Sequence, residues 1–113
     1  MAFAHHNVPT VIDQDIALCF FRVAQEALGN AVKHSDARHV SVELTGTPSS
    51  LELMITDDGK GFDPMSRKQE RASLGLVSMK ERTHLVKGEL DVESTVGRGT
   101  LIRVRIPLSR VRP

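Results

Sequence analysis

Four side chains suited to phosphate and metal chemistry recur at helical spacing in the first third of the chain. Arg22, Glu26, Asn30 and Lys33 follow at intervals of four, four and three, with His34 beside them, so on a helix they line one face. A helix face that carries an amide among its charges could serve metal and phosphate chemistry. A solvated face is the ordinary alternative for such a stripe, but Asn30 suits it poorly, because asparagine is a middling helix former. A second signal is Asp57, which shares the parity of Leu51, Leu53 and Ile55. A carboxylate on the buried side of a strand costs energy unless something donates to it. The alternative is an aspartate that caps the turn at Asp58-Gly59. The third signal is glycine spacing. Gly59 and Gly61 bracket Lys60, and Gly75 stands before an expected helix start, where free N–H groups favour an anion. Together these residues describe one site, with an acceptor for a polar ligand group at one end and metal and phosphate chemistry at the other.

The surrounding pattern supplies the elements that must hold these groups. Residues 1 to 12 read as an extended lead-in. Asp13 or Asp15 can cap a helix that runs to about Lys33, with apolar positions at Ile16, Cys19, Phe20, Val23, Ala24, Ala27, Leu28, Ala31 and Val32. Val40, Val42 and Leu44 alternate with polar residues as a half-buried strand. Turn residues at 46–50 lead to a second strand through Leu51, Leu53 and Ile55. The polar, aperiodic run from Phe62 to Ser73 reads as a loop. Helical spacing returns at Leu76, Met79, Thr83 and Val86, with Gly88 placed to stop it. Leu90 and Val92 begin a third strand, and Thr100, Ile102, Val104 and Ile106 share one side of a fourth. Helices that interrupt pairs of strands predict an α+β fold, a two-layer α/β sandwich whose mixed, mostly antiparallel sheet is covered on one face by helices.

Composition narrows the field. The chain has 113 residues, 40% hydrophobic and 26% charged, with a formal charge of +1, which suits one globular domain. That balance gives no global argument for nucleic-acid or membrane binding. The lack of Trp and Tyr argues against a stacking surface for single strands. The longest apolar run, Ile16 to Phe21, is far below the roughly 18 residues that span a bilayer. The first residues lack the basic start of a signal peptide. Cys19 is the single cysteine, so no internal disulfide forms. The expectation is a cytoplasmic domain over 1–113, without nucleic acid and without membrane contact of its own.

These residues resemble a known family. Glu26-x-x-x-Asn30, within Arg22-Val23-Ala24-Gln25-Glu26-Ala27-Leu28-Gly29-Asn30-Ala31-Val32-Lys33-His34, is similar to the asparagine box of the ATP-binding domain of sensor histidine kinases. Asp57-Asp58-Gly59-Lys60-Gly61-Phe62 resembles its first glycine box, and Ser73-Leu74-Gly75-Leu76 its second. Val86-Lys87-Gly88-Glu89-Leu90 and Gly97-Arg98-Gly99-Thr100 complete the order. The resemblance spans about residues 8 to 108, and its wording is nearest the nitrate-sensor type.

The resemblance implies the sandwich fold shared with gyrase-type, chaperone and mismatch-repair ATPases, and the cofactors ATP and magnesium. It implies that Asp57 accepts from the adenine amino group, supported by Thr100, and that Asn30 holds magnesium. Lys33 and His34 would lie near the phosphates, and Glu26 would orient a metal-bound water or assist proton movement. Gly59 and Gly61 would let the backbone approach the nucleotide. Gly75 and Leu76 would present N–H groups to phosphate, under a lid at about 62–74. Ser73 stands where the second box often has a glycine. The family's phosphate-accepting histidine lies on a separate helical dimerisation domain, which nothing in this sequence resembles. The implied partners are therefore that domain and, indirectly, a response regulator. The implied activity is protein-histidine kinase. A serine kinase of the anti-sigma type and a noncatalytic nucleotide-binding regulatory module remain the alternatives.

Overall fold

The computed structural model describes residues 2–33, 36–61 and 70–108. Their elements run β1 (Ala2–His6), α1 (Gln14–Lys33), β2 (Val40–Gly46), β3 (Ser50–Asp57), α2 (Glu70–Leu85), β4 (Glu89–Thr95) and β5 (Gly99–Pro107). One five-stranded sheet has the order β1-β2-β3-β5-β4. β1 pairs parallel to β2, and every other pairing is antiparallel. This is the expected mixed sheet, with one strand more than the sequence pattern gave. The lead-in is in fact the edge strand β1. All five of its residues are exposed, so no burial pattern marks it, and it is held through its pairing with β2.

Both helices cover one face. Asp13 starts α1 by accepting the Asp15 N–H on Oδ1 at 2.8 Å, an N-cap contact. Cys19, Phe20, Val23 and Ala27 of α1 and Leu76 and Met79 of α2 then meet Val42, Leu51, Leu53, Ile55, Ile102, Val104 and Ile106 of the sheet. Alternation along β3 and β5 puts these strand residues on one side. Val32, counted with the buried stripe by periodicity, is 70% exposed, one residue before α1 ends. On the opposite, open face, the edge strand β4 displays Glu89, Asp91 and Glu93, all exposed.

α2 departs from expectation at both ends. It starts at Glu70, five residues before Gly75 rather than after it. The segment Glu70-Arg71-Ala72-Ser73-Leu74 is polar, and lacking apolar periodicity it reads as loop, yet Glu, Arg, Ala and Leu are all good helix formers. The last five residues of the expected lid are therefore helical, and 62–69 lie outside the described residues. At the other end the left-handed residue is Lys87, φ 63°, not Gly88. Gly88 instead lets β5 approach closely. A Cβ there would sit 2.8 Å from Ile106 Cγ1 and 2.9 Å from the Arg105 carbonyl.

Candidate nucleotide site

Asp57 closes β3 on the core face. It is half-buried, with Val40 and Thr100 as its cross-strand neighbours. Its Oδ1 accepts the Gly59 N–H at 2.9 Å. The turn-capping role and the inward role thus coexist. The turn fixes the carboxylate's orientation through one oxygen. Thr100 is buried, and its hydroxyl pairs with Ser94 Oγ at 2.8 Å. Thr100 therefore backs the Asp57 position from the neighbouring strand, with Ser94 orienting its hydroxyl.

Two glycines permit the tight packing around this strand end. Gly61 (φ 66°) and Gly99 (φ 91°) are both left-handed, and a Cβ on Gly99 would collide with the Asp57 carbonyl. Neither position accepts a side chain without strain. The Gly97 N–H is donated to the Lys60 carbonyl. The turn after β3 is thereby joined to the β4–β5 hairpin.

The other half of the site is α1. Glu26 and Asn30 lie one turn apart, both half-buried, while Arg22 turns outward, donating to Gln25 Oε1 at 3.3 Å and stacking over Phe21. The stripe therefore divides, with its middle sheltered and its start in solvent. Glu26 lies directly against Gly75 of α2. A Cβ at Gly75 would fall 2.8 Å from Glu26 Oε2 and 3.2 Å from its Cγ. A glycine inside a helix costs about 1 kcal/mol relative to alanine, and here it makes room for a carboxylate.

The place of these two residues within α2 bears on the amide role read for Gly75 and Leu76. Only the first four N–H groups of a helix are free of the ladder. As the sixth and seventh residues of α2, Gly75 and Leu76 lie beyond them, and Leu76 is buried in the core. Lys33 ends α1, and His34 lies outside the described residues. The chain leaving α1 enters β2 at Val40, which pairs with Asp57. The C-terminal end of α1, with Asn30 and Lys33, and the strand end with Asp57 therefore lie at the same end of the molecule. Asn30 carries a hard amide oxygen one turn from the Glu26 carboxylate, a donor type that would suit magnesium. Magnesium commonly uses only one or two protein ligands beside phosphates and waters, so the donor set fits it.

Sequence reasoning did not single out Asp58, His39, Asp36 and Lys60 as partners. Asp58 Oδ1 accepts the N–H groups of Arg38 and His39, both at 2.9 Å, and Oδ2 lies 2.8 Å from His39 Nδ1. Lys60 Nζ lies 3.4 Å from Asp36 Oδ2. The one available signal was the doubled aspartate before Gly59.

The sequence profile of the family described as Histidine kinase-, DNA gyrase B-, and HSP90-like ATPase matches residues 16–110. The chain is 43% identical over 93 residues to the signal transduction histidine-protein kinase/phosphatase DegS of Bacillus subtilis (strain 168), covering 81% of this chain and 24% of that protein. DegS of Brevibacillus brevis is 36% identical over 107 residues, covering 95% of this chain and 27% of that protein. The chain thus spans about a quarter of the length of these relatives. Among solved structures, the histidine kinase domain of the Erythrobacter litoralis EL346 blue-light activated histidine kinase superposes with a TM-score of 0.71 at 23% identity. It covers 96% of this chain and 55% of that one.

Proposed function

Because the chain belongs to the histidine kinase-, DNA gyrase B- and HSP90-like ATPase family, and is thereby an ATP-binding domain, we propose that it is the catalytic domain of a two-component sensor kinase. In this reading it passes the γ-phosphoryl group of ATP to a histidine on a separate dimerisation domain, from which a response regulator is served. The observation that carries the reading is the likeness to DegS, 43% identity across 81% of the chain. The half-buried Asp57 and the sheltered pair Glu26 and Asn30 support it at the level of single residues.

The residues divide the work by charge and position. Asp57 Oδ2 accepts the adenine amino hydrogen. A guanine would turn a carbonyl toward the same oxygen and leave acceptors unpaired, at about 1–3 kcal/mol. Asn30 would hold magnesium, which supplies charge neutralisation on the phosphate oxygens. Lys33, with His34 beyond it, adds positive charge at that end of α1. Glu26, kept in place by the room at Gly75, orients the acceptor imidazole or takes its proton as the phosphorus–nitrogen bond forms and ADP leaves. Phosphoryl transfer depends more on positioning than on covalent chemistry. A rigid strand end facing a helix meets that need.

The test is to incubate the chain with γ-labelled ATP and a helical dimerisation domain of the DegS type. Acid-labile label on the supplied histidine is expected. Label on serine would select the anti-sigma-type kinase, and nucleotide binding without any transfer would select the regulatory module.

A further inference from the structure

One exposed side chain gathers more partners than its location requires. Asp58 accepts two backbone N–H groups on Oδ1, from Arg38 and His39, and meets the His39 ring on Oδ2. Its own N–H is donated back to the His39 carbonyl at 3.2 Å. Backbone and side chain of one residue thus close on Arg38 and His39, the last two residues before β2. An ionised carboxylate only accepts, so His39 must donate through Nδ1–H, whether neutral or protonated. The hydrogen bonds from the His39 backbone and ring hold the Asp58 carboxyl down at about 2. It is therefore ionised at neutral pH. Arg98 lines the same open cleft, and Lys60 pairs with Asp36 on the adjoining turn.

The placement of this tie gives it meaning. Asp57 precedes Asp58 directly, while Asn30 and Lys33 lie at the end of α1, to which the segment before β2 is joined by the Ala37 N–H donated to the Ala31 carbonyl at 3.1 Å. A nucleotide that touches both Asp57 and the end of α1 needs their separation fixed. An error of about 1 Å in the placement of reacting groups can cost on the order of a hundredfold in rate, and a bound nucleotide placed by the same two ends is subject to the same spacing. We propose that Asp58 is a positioning residue for nucleotide binding, tying the turn after β3 to the chain leaving α1 so that Asp57 is held at a set distance from Asn30. The proposal rests on the reading of Asp57 as the purine acceptor. His39 is the auxiliary clamp.

The test uses Asp58→Ala and Asp58→Asn in the full chain. ADP affinity is measured by calorimetry, and amide exchange at Arg38, His39 and Gly59 is followed without nucleotide. Asp58→Ala is expected to weaken ADP binding about fivefold to thirtyfold and to speed exchange at Arg38 and His39. Asparagine keeps an acceptor oxygen, so Asp58→Asn should recover most of both. Should Asp58→Ala not fold, His39→Ala removes the ring donor alone, with an expected loss of about twofold to fivefold. Faster exchange with unchanged ADP affinity in Asp58→Ala would overturn the positioning role. Unchanged affinity in an Asp57→Asn control would overturn the purine reading and the proposal with it. The exchange data, which need no nucleotide, show separately whether the tie exists.

Discussion

The carboxylate of Asp57 meets a donor two residues along its own turn, the Gly59 N–H at 2.9 Å, whereas that of Glu26 rests in room left by a glycine on another helix. The first is set by a local hydrogen bond and backed by a buried threonine from the neighbouring strand. The second is set by what is missing, a Cβ at Gly75. A hydrogen-bonded group keeps its aim when its surroundings shift slightly. A group held by free space keeps it only while the space stays open. The Asp57 end of the candidate site is thus fixed by a hydrogen bond, and the Glu26 end by packing.

Replacing each carboxylate by its amide sharpens the contrast. Glu26→Gln should lower transfer to a supplied histidine about a hundredfold or more while leaving ADP affinity within about twofold. Label transfer and calorimetry check the two halves, and unaltered transfer would break the assignment. Asp57→Asn should do the reverse, weakening adenine nucleotide binding by about 2 kcal/mol, roughly thirtyfold, with no change in melting temperature beyond a few degrees. Gly75→Ala probes the packing side directly. Alanine favours the helix by about 1 kcal/mol, so the melting temperature should hold or rise, yet its Cβ displaces Glu26 and transfer should fall about tenfold. A fall in both would show that the glycine serves stability rather than the carboxylate.

Smaller effects test the neighbouring anchors. Asp58 titrates at about 2 in place of 3.8, through hydrogen bonds from the His39 backbone and ring. Because its folded value is depressed, its contribution is present above about pH 4 and is lost as the pH falls through about 2. The carboxyl carbon signal of Asp58 should show its midpoint there, and a midpoint near 4 would deny the clamp. Burial raises the Cys19 thiol above its ordinary value, and the thiol lies 3.9 Å from Thr83 Oγ1. Its alkylation at pH 8 should therefore be much slower than in denaturant. Equal rates would place it outside the core.

What the sequence made legible follows the same division. Alternation in Leu51, Leu53 and Ile55 put Asp57 on the inner side of its strand, and periodicity put Glu26 and Asn30 on one helical face. Both are short-range patterns. The start of α2 was not legible, because Glu70 to Leu74 form helix without an apolar stripe. β1 was not either, since an edge strand with every residue exposed leaves no two-residue rhythm. Gly75 looked like a free helix end because a glycine's purpose depends on its neighbour in space, which is Glu26 on the other helix. Asp58 belongs with these. Its partners Arg38 and His39 reach it only through the pairing of β2 with β3.

The row of acids on β4 bears on crowding. A bare strand margin is a template for another sheet. Glu89, Asp91 and Glu93 mean that two of these domains meeting side by side there would set like charges against like, which disfavours pairing. Neighbouring copies can therefore come close along that border without zipping into a continuous ribbon.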